Sequence, residues 1–156
     1  MNFSIVAAKE TDLPIIMEIM QEAKQLVKDP DWYEIDTTET VKAHIDREGF
    51  ILLALTDEQE VAGFLIVRDP KEANDNLGEY LSLPEEEKRK VIHFEHAVVR
   101  PEFQGNQLQY RLFAEAEKMI LQTDKKYLMA TVHPDNRFSY QNMKKLGMRK
   151  IIQTEK

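Results

Sequence analysis

The chain has 156 residues, enough for one domain over residues 1–156 with one core. It holds no cysteine, which excludes disulfides, cysteine-based zinc sites and a thiol nucleophile. A formal net charge of -7 repels nucleic-acid phosphates, so no nucleic-acid partner is expected and a cationic ligand is favoured. There is no apolar run long enough to cross a membrane and no basic-then-apolar leader at Met1–Val6, so no membrane partner and a cytoplasmic location are expected.

Phe3 to Ala8 reads as a first strand. Thr11 or Asp12 can cap a helix with Pro14 in its first turn, and Ile16, Ile19, Met20, Ala23, Leu26 and Val27 recur at helical spacing. Asp29-Pro30-Asp31 breaks that helix, and Trp32 and Tyr33 follow in a loop. Thr38 to Glu48 reads as a second helix, with Val41 and Ile45 inward and Gly49 closing it. Phe50–Leu55 and Val61–Val67 form a hairpin pair of strands. The stretch from Asp69 to Asn76 is polar and irregular. Ser82, Pro84 and three glutamates then give a helix start.

Val91 to Val99 is expected as a strand, stopped by Pro101, followed by a turn with Gly105 and a helix from Gly105 to Leu121. Leu108, Leu112, Phe113, Ala116, Met119 and Ile120 make its inward stripe. A strand at Tyr127–Val132, a helix at Asn136–Leu146 closed by Gly147, and a last strand at Met148–Thr154 complete the order. The result is a mixed α/β (α+β) domain, one central sheet flanked by helices.

The strand–turn–helix around Gly105 directs free N–H groups and a positive dipole end outward, a place for a phosphate or an ordinary turn that binds nothing. Here the chain resembles a known family. Val99-x-Pro101-x-Phe103-Gln104-Gly105-Asn106, followed by Leu108-Gln109, is similar to the coenzyme A motif of the GNAT superfamily of N-acetyltransferases. Gln107 and Gln109 stand where that family carries small residues. A second block, Asn136-x-x-Ser139 and on to Gly147-Met148, resembles the family's later motif, with Met143 in place of its usual tyrosine. The polar stretch from Asp69 to Lys90 is similar to an insertion in one bacterial branch of uncertain substrate.

The resemblance implies the GNAT fold, with a central mixed twisted sheet, and transfer of an acetyl group from acetyl-CoA to a primary amine of a small molecule or peptide. It places the coenzyme on Ala97, Val98, Val99, Gln104, Gly105, Asn106, Gln107, Leu108, Gln109 and Tyr110, with Asn136 capping a helix or touching pantetheine. The strand before the loop is expected to splay from its neighbour, so that N–H groups near Val98 and Val99 face the coenzyme. Strand alternation puts His93, Glu95, Ala97 and Val99 on one face. Glu95 is the preferred base, with a pKa raised by its apolar neighbours, and His93 is the second candidate. With Met143 unable to donate a proton, Tyr140 either serves as the acid or is a packing residue, water being the other proton source, and Trp32 and Tyr33 line the acceptor pocket or cover the core.

The histidines lack metal-ligand spacing, so no metal is expected. The family's further terminal strand does not fit before Lys156, which leaves an edge open to pairing in a homodimer. Gln107 and Met143 also motivate a second reading, a coenzyme-binding domain impaired in catalysis.

Overall fold

The computed structural model describes residues 2–26, 37–132 and 137–148. Five strands form one sheet in the order β1-β2-β3-β4-β5. They are β1 (Phe3–Ala7), β2 (Gly49–Thr56), β3 (Val61–Arg68), β4 (Val91–Val99) and β5 (Tyr127–Ala130). The first four run antiparallel to their neighbours, and β4 pairs with β5 in parallel. The helices are α1 (Leu13–Leu26), α2 (Thr38–Asp46), the single turn α3 (Glu85–Lys88), α4 (Leu108–Ile120) and α5 (Arg137–Leu146).

Strands β2 and β3 carry apolar runs over residues 50–55 and 61–67 because both sheet faces are covered, as a sheet between two helix layers demands. On one face Leu52, Ala54, Leu65, Val67, Ile92 and Phe94 meet Leu108, Leu112, Phe113 and Ala116 of α4. Phe94 stacks on Phe113 with centroids 4.7 Å apart. On the other face Ile51, Leu53, Phe64 and Ile66 meet Ile16, Ile19 and Met20 of α1 and Val41 of α2. Arg100, just past β4, is pinned to Glu22 of α1 by bonds of 3.2 and 2.9 Å.

Several boundaries differ from the sequence reading. Lys9 precedes a 3-10 turn that leads into α1, with Asp12 accepting the Lys9 N–H at 2.8 Å. Thr37 is the cap of α2. Ser82 starts no helix: it adopts φ 54° at the end of a 3-10 turn over Leu77–Leu81. The helix expected from Gly105 starts three residues later, because Gly105 and Gln107 have φ values of 89° and 58° that no right-handed helix accepts. Met119 lies at the surface, while Gln109 is buried. The Asn136, Trp32, Tyr33 and His133 positions lie outside the described residues, as does the expected last strand beyond Met148.

Candidate active site

The β3–β4 register carries an extra residue. His96 opposes Ile66 and Phe94 opposes Val67, so Glu95 is a bulge with no partner on β3. The bulge resets the alternation. Ile92, Phe94, Ala97 and Val99 pack toward α4, whereas Val98 packs toward α1. Glu95 faces α2. The expected single face for Glu95, Ala97 and Val99 is thereby overturned, since an inserted residue reverses the inward–outward parity beyond it.

The same position is where the sheet opens. Pairing of β4 with β5 ends at Phe94 and Ala130, while β4 continues to Val99. The Arg100 N–H bonds Ala62 O at 2.8 Å. By the two-residue alternation of an antiparallel ladder, Val98 N–H also turns to β3. Ala97 and Val99 N–H therefore turn to the gap, so that of the expected groups Val99 faces it and Val98 does not.

Glu95 lines a cavity of about 210 Å³ with Thr40, His44, Glu48, Arg68 and Asp75. Three carboxylates face one guanidinium, an excess of negative charge that suits a cation. Arg68 grips Asp75 in a two-pronged bond at 2.8 Å on each arm, and its Nη1 lies 3.9 Å from Glu95 Oε1. His93 Nδ1 lies 3.8 Å from Glu95 Oε2. Burial pushes the Glu95 carboxyl up, but the His93 ring and the Arg68 charge outweigh it, with a smaller contribution from His96. The net direction is downward, opposite to the expected rise, because apolar neighbours in sequence do not reveal a cation brought in from β3. Among the described residues no group of three His, Asp or Glu is placed to hold a metal.

His93 is 3% exposed, and its Nε2 accepts the Leu77 N–H at 3.1 Å. That bond uses the ring's basic lone pair and leaves its proton on Nδ1, toward Glu95. The sequence singled out Glu95 and His93, but it missed Arg68, Asp75, Glu48 and Thr40. An arginine ending the apolar run Val61–Val67 is the one local signal for Arg68, and only the strand register connects it to Glu95.

The proposed coenzyme loop is built on its own contacts. Gln104 Nε2 donates to Val99 O at 3.5 Å, and Asn106 Nδ2 donates to Phe103 O at 2.8 Å. The Gln107 side chain does not cap α4, and no acidic residue occupies the first turn. The N–H groups of Leu108, Gln109 and Tyr110, which precede the first intrahelical bond from Arg111 to Gln107 O, are thus left without an intrahelical partner. A Cβ on Gly105 would meet nothing within 4 Å, so the turn is open. These groups fit an anion such as a diphosphate. The side chain of Gln109 points elsewhere: it donates to Ser139 Oγ at 3.0 Å and accepts from Asn142 Nδ2 at 2.7 Å, tying α4 to α5. Tyr110 lies beneath the Lys145 ammonium, 4.4 Å from its ring centroid. Tyr140 sits in the first turns of α5, half-buried.

Solved structures share the fold. An aminoglycoside 6'-N-acetyltransferase from Acinetobacter baumannii is 18% identical, with a TM-score of 0.70 over 99% of this chain and 96% of that one. An N-acetyltransferase from Staphylococcus aureus Mu50 is 17% identical, with a TM-score of 0.71 over 94% and 83%. An aminoglycoside N-acetyltransferase in complex with CoA is 17% identical, with a TM-score of 0.69 over 99% and 92%. No curated protein sequence matches the chain. The model of the acetyltransferase (GNAT) family matches residues 13–148, most of the chain's length, and the protein belongs to that family.

Proposed function

We propose that this protein moves an acetyl group from acetyl-CoA to the primary amine of a cationic small molecule or peptide. The observation that carries the reading is the position of Glu95. It is the first β4 residue beyond the last β4–β5 pair, and it faces a cavity with more carboxylates than cations. Acetyl-CoA supplies a thioester-activated acetyl group.

The uncapped N–H groups of Leu108, Gln109 and Tyr110 hold the diphosphate, and Gln104, Gly105, Asn106 and Gln107 shape the loop around it. The Ala97 and Val99 N–H groups line the strand gap, where they orient the pantetheine arm and stabilise charge on the acyl oxygen. Glu48, Asp75 and Glu95 attract the ammonium form of the acceptor. Glu95, ionised at neutral pH, takes the amine proton and passes it to water, which frees the nitrogen lone pair for attack. Tyr140 is the candidate donor of a proton to the leaving sulfur. Two of the structural neighbours, both aminoglycoside N-acetyltransferases, support a polycationic acceptor as the first class to assay.

The test is calorimetry with acetyl-CoA followed by turnover on polyamines, aminoglycosides and amino acids. Micromolar coenzyme binding with turnover on at least one cationic amine is expected. Absence of coenzyme binding would sink the proposal. Binding without turnover on any amine would favour the catalytically impaired reading that Met143 and Gln107 motivate.

A further inference from the structure

The segment from Asp69 to Lys90 touches two neighbours of Glu95, Arg68 and His93. Its Asp75 holds Arg68, and its Leu77 N–H bonds His93 Nε2 at 3.1 Å. Arg68 and His93 are themselves cross-strand partners on β3 and β4. Asn76, buried between the two contact residues, holds the segment in place. Its Oδ1 accepts the Gly78 N–H at 2.8 Å, and its Nδ2 donates to Lys71 O at 2.9 Å and Lys88 O at 3.0 Å.

A neutral imidazole has one donor and one acceptor nitrogen, so fixing one fixes the other. With Nε2 committed to a buried backbone N–H, the ring carries its proton on Nδ1. Its Nδ1–H lies on the Glu95 side, at 3.8 Å. We infer that His93 is a positioning residue for Glu95, and that the Asp69–Lys90 segment sets its tautomer through Leu77. The inference rests on the reading of Glu95 as the base.

Six charged or titratable groups share this environment. Arg68 approaches from β3, His93 and His96 from β4, Asp75 from the segment, His44 from α2 and Glu48 from the turn after α2. Substitutions at His93 separate its hydrogen bond to Leu77 from its 3.8 Å approach to Glu95. Asparagine places an amide nitrogen where Nδ1 stands and loses the Leu77 bond. Glutamine reaches the Nε2 position and loses the donor toward Glu95.

The experiment combines three readouts on the full chain: His93 ring nitrogen shifts, Leu77 amide exchange, and the pH dependence of both kcat/KM and the Glu95 carboxyl resonance. The wild type should show Nδ1–H and a slowly exchanging Leu77 amide. In His93→Gln the amide should stay protected, Glu95 should titrate at higher pH, and kcat/KM on the acidic side should fall about threefold with KM unchanged. In His93→Asn the Glu95 titration should stay near wild type while the Leu77 amide exchanges faster. An Nε2–H tautomer in the wild type, or a Glu95 titration in His93→Gln superimposable on wild type, would overturn the inference. The Glu95→Gln variant tests the underlying reading separately: wild-type turnover there removes Glu95 as base, while the carboxyl titration still decides what His93 does.

Discussion

Arg68 stands between two carboxylates, bound to Asp75 at 2.8 Å and lying 3.9 Å from Glu95. Together with His93, it lets a half-buried glutamate stay ionised in a cavity already rich in negative charge. The sign of its effect follows from the direction of the shift. A carboxyl held below its ordinary value stabilises the fold above the ordinary carboxylate range, and that contribution is lost as pH falls through its folded-state pKa. Arg68→Met should therefore move the acidic limb of kcat/KM to higher pH and lower the rate near pH 5 by about threefold or more. It should also reduce stability at neutral pH, because Glu95 and Asp75 lose a shared partner. A pH–rate profile identical to the wild type would show that Arg68 does not govern Glu95.

Glu95→Gln keeps the shape of the side chain and removes its ability to take a proton. Turnover should drop about tenfold or more while acetyl-CoA binds as before, since the coenzyme loop begins beyond Val99. Steady-state kinetics paired with calorimetry separates the two effects, and unchanged turnover takes Glu95 out of the mechanism.

Gln107 occupies left-handed backbone at the N-cap of α4. That conformation costs an L-residue roughly 1–2 kcal/mol, and glycine gives back roughly 0.5–1 kcal/mol in chain entropy. Gln107→Gly should accordingly raise stability by about 0.5–1 kcal/mol and tighten acetyl-CoA binding by removing a side chain beside the α4 N–H groups. Thermal unfolding and calorimetry give both numbers. Weaker binding in the variant would mean that the Gln107 side chain itself contacts the ligand.

Gln109 joins α4 to α5 through Ser139 and Asn142. Gln109→Leu preserves bulk but deletes both bonds in a buried setting, with an expected loss of about 1–3 kcal/mol in urea unfolding. A loss within experimental error would mean that water replaces the amide at no cost.

Tyr140→Phe removes a hydroxyl and little else. With Tyr140 as proton donor, kcat should fall about tenfold and the alkaline limb of its pH profile should change, with acetyl-CoA affinity preserved. Equal rates across the pH range would assign the proton to solvent.

Much of this molecule was legible from residues alone. The apolar runs of β2, β3 and β4, the helical stripe of Ile16, Ile19 and Met20, and the strand–turn–helix at Gly105 are local patterns, because a strand or an amphipathic helix repeats with a fixed short period. The candidates Glu95, His93 and the Gln104–Tyr110 loop came from the resemblance to the GNAT family, with strand alternation putting the first two on one face. Tertiary structure alone decided the rest. The bulge at Glu95 is a mismatch between two strands, so it has no signature within β4, yet it sends Ala97 and Val99 to the opposite face from the carboxylate. The direction of the Glu95 pKa shift depends on how His93 is placed and on Arg68, 27 positions earlier in the chain. The tautomer of His93 depends on the Leu77 N–H, which arrives through a polar segment whose periodicity carries no information. Local patterns specify which elements form, whereas charge, tautomer and accessibility at a site are set by whatever the fold brings within a few ångströms, and those neighbours are remote in sequence.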